Sequence, residues 1–199
     1  MENAMRKPRI LVLAGSTRKD SIHRKLARLT VDALQAAGID ATFADLHDYP
    51  MPLYDGDLEA EQGIPPTAKA LKELARRSDG FAIASPEYNG SFPAVLKNAI
   101  DWISRPEPGD RPLEVFRGKA AAILSGSPGP GGGRRVLKQL RELLEMIGMT
   151  VIPQELSIAR ANDALDAAGR LVRPEDLAGL TALARALAGA LAPKQEAAA

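Results

Sequence analysis

Apolar residues in this chain fall into short unbroken runs, separated by stretches whose apolar positions recur at helical spacing. The first run, Arg9 to Ala14, is stopped by Gly15, and such a run predicts a strand buried on both faces. Residues 21–37 follow with Leu26, Leu29, Ala33 and Leu34 at helical spacing, and Gly38 is a plausible stop. A weakly alternating second strand is expected over 39–45, then a loop rich in Pro, Gly and acids over 47–66. A helix over 67–77 and a third buried strand over 80–84 come next. A loop over 85–93 leads to a helix over 94–103, a break at 106–112 and a fourth strand over 119–124. A glycine-rich loop over 125–133, a helix over 135–147 and a fifth strand over 149–153 follow. Pro174 opens a last helix that runs to about Leu191. The ends, 1–7 and 194–199, are expected to be flexible.

Strands alternating with helices imply an α/β domain, a parallel sheet covered on both faces. The 199 residues suit a single domain with a full core, and no linker divides them. In such open sheets ligands bind beyond the carboxyl ends of the strands, where strand order reverses. The loops after strands one, three and four are therefore the ones to read for chemistry.

Composition narrows that chemistry. Formal net charge is +1, without the basic excess of a nucleic-acid-binding protein or the acidity of a strongly acidic electron-transfer surface. With no cysteine, thiolate catalysis and Cys-ligated metal centres are impossible, and two histidines make a His-rich metal cage a poor expectation. No apolar stretch is long enough to span a bilayer, and MENAMRKPRI lacks the apolar run of a signal peptide. A cytoplasmic protein with no membrane partner is expected.

The loop after the first strand, Gly15 to Ser21, holds three hydroxyls (Ser16, Thr17, Ser21) and two cations (Arg18, Lys19) between a strand and a helix. Backbone N–H groups at a helix start lack internal partners and carry partial positive charge, so a phosphate is well served there. Arg18 can add a charge-assisted fork. The blander reading, that Asp20 or Ser21 simply caps the helix and Arg18 is solvated, stands beside it. Neither GxGxxG nor GxxxxGK[ST] occurs in this loop, so neither a dinucleotide fingerprint nor a P-loop NTPase is supported, and a mononucleotide such as FMN fits better. After the third strand, Ser85 to Pro93 carries an Asn89-Gly90 turn between Pro86 and Pro93. So stiffened a loop can offer N–H groups to the edge of a planar heterocycle, with Tyr88 as an aromatic wall.

Three segments, GSTRKDSIHRKL, SPEYNGSFPAVLKNAIDW and SGSPGPGGGRR, together resemble the corresponding segments of the NAD(P)H-dependent FMN reductase family, over about residues 9–153. The resemblance implies a flavodoxin-like three-layer sandwich with a five-stranded parallel sheet in the order 2-1-3-4-5. It implies FMN as cofactor and NADPH or NADH as reductant. The electron acceptor would be a small molecule: a quinone, an azo compound, a metal oxyanion or free flavin. Ser16, Arg18, Ser21 and His23 match positions that hold the FMN phosphate. Pro86, Glu87, Tyr88, Asn89 and Gly90 match the loop along the isoalloxazine ring, and Ser125 and Gly126 the far side of the pocket. His23 stands where the family usually has Asn; an imidazole can still donate to phosphate, with a charge that varies with pH. The helix over 94–102 is implied to pair with a partner subunit, in a homodimer or homotetramer, although its apolar pattern would equally arise from packing on the sheet. Arg134 and Arg135 could meet the phosphates of the pyridine nucleotide, or be solvated. Two other functions remain open at this point: an electron carrier with no nicotinamide reaction of its own, and a hydrolase with Glu87 or His23 as general base.

Overall fold

The computed structural model describes residues 6–192. Most of the terminal stretches expected to be flexible lie outside the described residues, and Arg6 within them is tied to Asp79 at 2.8 Å. The sheet has five parallel strands, β1 (Arg9–Ala14), β2 (Asp40–Ala44), β3 (Gly80–Ala84), β4 (Ala120–Gly126) and β5 (Thr150–Ile158). Their spatial order is β2-β1-β3-β4-β5, so the order of strand addition reverses between β1 and β3, as expected. The apolar runs divide by the pleat. Ile10, Val12 and Ala14 point into one layer, with Ala82, Ala84 and Leu124. Leu11 and Leu13 point into the other, with Phe81, Ile83 and Ile123. Helices α1 (Ile22–Ala36) and α7 (Pro174–Leu191) cover the first layer. Helices α3 (Pro66–Arg77), α4 (Ala94–Ile103) and α5 (Arg134–Met146) cover the second.

Three expectations need correction. The stretch 47–66 is not all loop: a 3-10 turn, Leu46–Asp48, precedes helix α2, Gly56–Gln62. Helix α2 has no buried residue and therefore no apolar stripe to betray it; the Asp55 carboxylate, accepting from the N–H groups of Asp57 and Leu58, marks its start. The fifth strand does not stop at Pro153. Pairing jumps from Ala121↔Val151 to Ile123↔Glu155, so Pro153 sits in a bulge on this edge strand and the ladder resumes beyond it. In consequence β4 also runs on, and Ser125 and Gly126 belong to the strand, paired with Ser157 and Ile158, rather than to the loop. A short helix α6 (Ala161–Ala164) was not expected.

The connection after α4 is held by a charged knot. Lys72 of α3 is 2% exposed. Its ammonium donates to the Arg105 carbonyl at 2.6 Å and to the Asp110 carboxylate at 2.5 Å. Arg76 donates to the same carboxylate, and together these bonds hold Asp110 far below the usual carboxylate range. Removing the buried cation would leave its carboxylate partner under-compensated. Lys72→Ala is expected to cost about 3 kcal/mol of stability, read as a lowered urea midpoint; an unchanged midpoint would show the knot to be inert.

Candidate functional site

The loops after β1, β3 and β4 meet at the carboxyl edge of the sheet. The first leaves β1 under control of the sheet, since the Gly15 N–H still donates to the Ala84 carbonyl at 2.8 Å. Ser16 and Ser21 are buried, whereas Thr17, Arg18, Lys19 and Asp20 are exposed. Ser21 caps α1, its hydroxyl accepting from the N–H groups of His23 at 3.2 Å and Arg24 at 3.4 Å. The capping role weighed for this residue is therefore real; Arg18 is exposed but makes one bond, to the Asp20 carbonyl at 3.2 Å. Among the described residues, the backbone N–H groups of Ser16, Thr17, Lys19, Asp20 and Ile22 meet no acceptor in the protein. A loop of bare N–H groups with buried hydroxyls at a helix start is a concavity suited to an anion.

Arg24, in the first turn of α1, braces this loop from behind. Its guanidinium donates to the carbonyls of Arg18 and Lys19, each at 3.4 Å, and pairs with the buried carboxylate of Asp45 just past β2. Nothing in the sequence marks it, because it stands among other helix cations and its partner lies on another element.

His23 corrects an expectation. The ring is buried, and Nε2 accepts the Gly126 N–H at 3.2 Å. Accepting that bond places the ring proton on Nδ1. Burial, with nearby Arg18, pushes the imidazole down to about 4. The side chain is thus not one whose charge varies around neutral pH.

The second loop is as stiff as its prolines suggest. Tyr88 and Ser91 exchange backbone hydrogen bonds at 2.9 and 3.0 Å, closing a two-residue hairpin over Asn89 and Gly90. Both turn residues have positive φ, 52° and 80°, the combination a type I′ turn requires and Asn-Gly supplies. Pro86 is buried, and Tyr88 stands 54% exposed beside the turn. Glu87 is placed otherwise than expected. Its carboxylate accepts the N–H groups of Arg135 at 3.2 Å and Val136 at 3.4 Å, so it caps α5 and is neither an open lining group nor a free general base. The Arg135 guanidinium lies 3.5 Å from the same carboxylate and is otherwise exposed, as is Arg134.

Ser125 and Gly126 do not line a far wall with free groups. The buried Ser125 hydroxyl donates to the Ser85 carbonyl at 2.7 Å, and the Gly126 N–H is spent on His23. Both tie the loops together from below. The glycine-rich segment beyond them is less free than its composition suggests. Gly133 has φ 79° and packs so tightly on Ser125 that any side chain there would strike its hydroxyl.

A cavity of about 320 Å3 adjoins the first loop, lined by Thr17, Leu46, Tyr49, Met51, Val95 and Asn98. Its wall from the stretch 47–66 was missed in the sequence. Asn98 fixes that stretch, donating to the Pro52 carbonyl at 2.8 Å and accepting the Tyr54 N–H at 2.8 Å, and the Trp102 ring N–H reaches the same Pro52 carbonyl. A larger cavity of about 430 Å3, near Arg6, Arg9 and Asp40, lies at the opposite, amino edge of the strands and away from these loops.

Known proteins share this sequence pattern and this fold. The model of the NADPH-dependent FMN reductase family matches residues 8–163. A quinone reductase of Escherichia coli K12 is 39% identical over 150 residues, which span 73% of this chain and 74% of that one. An NAD(P)H-dependent FMN reductase of Pseudomonas aeruginosa is 37% identical over 165 residues, 82% of this chain and 84% of that one. The solved structure of FerB, a flavoenzyme NAD(P)H:(acceptor) oxidoreductase from Paracoccus denitrificans, superposes with a TM-score of 0.78 at 30% identity, covering 92% of this chain and 96% of the other. An archaeal flavodoxin, 12% identical with a TM-score of 0.59, shares the fold alone. No helix among the described residues is long and apolar enough to cross a membrane.

His23 gives a test with a defined sign. The unfolded chain takes up its proton near pH 6.5, the folded one only near 4. His23 therefore supports the fold fully above pH 6.5, and that support falls away as pH drops towards 4, by roughly 3 kcal/mol. His23→Asn is expected to lose less stability than the parent over that window in urea titrations; parallel pH profiles would place the imidazole outside this environment.

The matched relatives are reductases, which favours an enzyme over a bare electron carrier, and the family model spans all three loops described above. The chain belongs to the NADPH-dependent FMN reductase family.

Proposed function

We propose that this chain works, as a single domain, as an FMN-dependent NAD(P)H oxidoreductase of the quinone-reductase type, with the FMN phosphate in the Ser16–Ser21 loop and the isoalloxazine ring along Pro86–Gly90. The observation that carries it is the row of unpaired N–H groups at the start of α1 beside a turn already fixed in shape. A phosphate dianion would satisfy N–H groups that otherwise meet only water, while the buried Ser16 adds a donor from within and Thr17 and Arg18 add donors at the mouth. His23 keeps one ring N–H, on Nδ1, for the same anion. When bound, FMN supplies the redox chemistry, two-electron exchange between NAD(P)H and an acceptor such as a quinone, an azo compound, a metal oxyanion or free flavin.

The protein's own part is to bind, to orient and to keep the ring edge in contact with fixed backbone groups. Pro86 stiffens the loop, the Tyr88–Ser91 hairpin holds its backbone N–H and carbonyl groups in one arrangement, and Tyr88 offers an aromatic face beside them. No general base is needed for hydride exchange, which agrees with Glu87 being committed to α5 and His23 to β4. The chain would act as a homodimer or homotetramer. Leu53 is 76% exposed on a segment tied to α4 by Asn98 and Trp102, and such an interface would cover it.

Purified protein loaded with FMN is expected to lose its visible flavin absorbance when NADH or NADPH is added without oxygen, and to regain it on adding a quinone. If neither nucleotide bleached the flavin, the reductase reading would be wrong. Arg18→Ala is expected to weaken FMN binding about tenfold or more, measured by quenching of flavin fluorescence in titrations of the flavin-free protein.

A further inference from the structure

Helix α5 begins poorly and is rescued from outside. Its N-terminal flank is Gly133, which has no side chain to cap the first turn. The capping carboxylate comes instead from Glu87, in the loop after β3. Gln139 lies on the same face of α5, three and four residues beyond the capped N–H groups of Val136 and Arg135. Its side-chain amide donates to the Gly90 carbonyl at 2.7 Å and accepts from the Ser91 hydroxyl at 2.6 Å. One helix face therefore grips the chain before, within and after the Asn89-Gly90 turn: at Glu87, at the Gly90 carbonyl and at Ser91.

The turn has reason to need that grip. The reciprocal bonds between Tyr88 and Ser91 leave the Gly90 carbonyl without a backbone partner. Asn89 holds a left-handed φ of 52°, which an L side chain adopts at a cost. Two-residue hairpins of this kind are marginal by themselves. An amide at position 139 is chemically specific, since the site asks one side chain for a donor towards Gly90 and an acceptor towards Ser91.

We propose that α5 is a clamp on the Tyr88–Ser91 turn, with Gln139 and Glu87 as positioning residues that fix the loop's backbone before a ligand arrives. Neither needs to touch the ligand. The clamp also couples the loops after β3 and β4, because Glu87 joins the former to the helix that follows the latter. Its consequence for catalysis rests on the flavin reading given above; its consequence for the turn does not.

Two measurements on Gln139→Met and Glu87→Gln separate these. Amide hydrogen exchange of the flavin-free proteins reads the turn directly. Exchange at Tyr88 and Ser91, whose N–H groups close the turn, is expected to rise about tenfold or more in Gln139→Met, with exchange in β1, β3 and β4 unchanged as the check that the fold is intact. Unchanged exchange at the turn would overturn the clamp. FMN titration then reads the site: Gln139→Met is expected to bind about tenfold more weakly and with an altered visible circular dichroism of the flavin, and Glu87→Gln to follow in the same direction with a smaller loss. A faster-exchanging turn with unaltered FMN affinity and spectrum would overturn the role in the flavin site. If the parent protein itself failed to bind FMN, the flavin reading would fall, while the exchange comparison would still decide the clamp. Ser91→Ala serves as the second variant: it removes one of Gln139's two bonds, and an exchange rate outside the interval between parent and Gln139→Met would contradict the geometry.

Discussion

Two buried hydrogen bonds hold the ligand end of this molecule together: the Ser125 hydroxyl on the Ser85 carbonyl, and the Gly126 N–H on His23. The first ties the end of β4 to the end of β3. The second ties β4 to the first turn of α1. With the Gly15 N–H on Ala84, all three loops are fixed to one another before any ligand is considered. Each bond is made by a group that would otherwise be a buried, unsatisfied donor, so breaking one costs the desolvation of its partner as well as the bond. That is why polar residues occur here at the ends of wholly apolar strands.

The price of this rigidity is met by local strain and by borrowed caps. Asn89 sits in the left-handed region, and α5 depends on a carboxylate from another loop. A site that pre-fixes its backbone in this way spends less ordering entropy when a flat, rigid ligand arrives. Electrostatics contribute locally rather than globally. The chain is nearly neutral overall, yet the first loop concentrates Arg18, Lys19 and the start of α1 around one concavity.

The sheet was legible because strands buried on both faces must be apolar throughout, and Arg9–Ala14 and Gly80–Ala84 are bounded by glycines. Turn chemistry was legible too, since Asn89-Gly90 has few alternatives to a type I′ turn. Other features were hidden for physical reasons. Helix α2 buries nothing, so it left no periodicity. Pro153 looked like the end of a strand because a bulge that absorbs a proline depends on its neighbour's register. The roles of Glu87, Gln139 and Arg24 depend on contacts between distant segments, which residue type alone does not disclose. His23 departs from the family pattern in the sequence, but only the structure shows its ring buried against β4.

The central claim is that the Ser16–Ser21 loop recognises the phosphate of a flavin whose ring lies along the second loop. Binding of FMN and of riboflavin, which lacks only the phosphate, tests it most directly. If the loop's bare N–H groups hold the phosphate, calorimetric titration of the flavin-free protein will show FMN binding at least a hundredfold more tightly than riboflavin, about 3 kcal/mol. Equal affinities would contradict the account and return the loop to the role of a capped helix start.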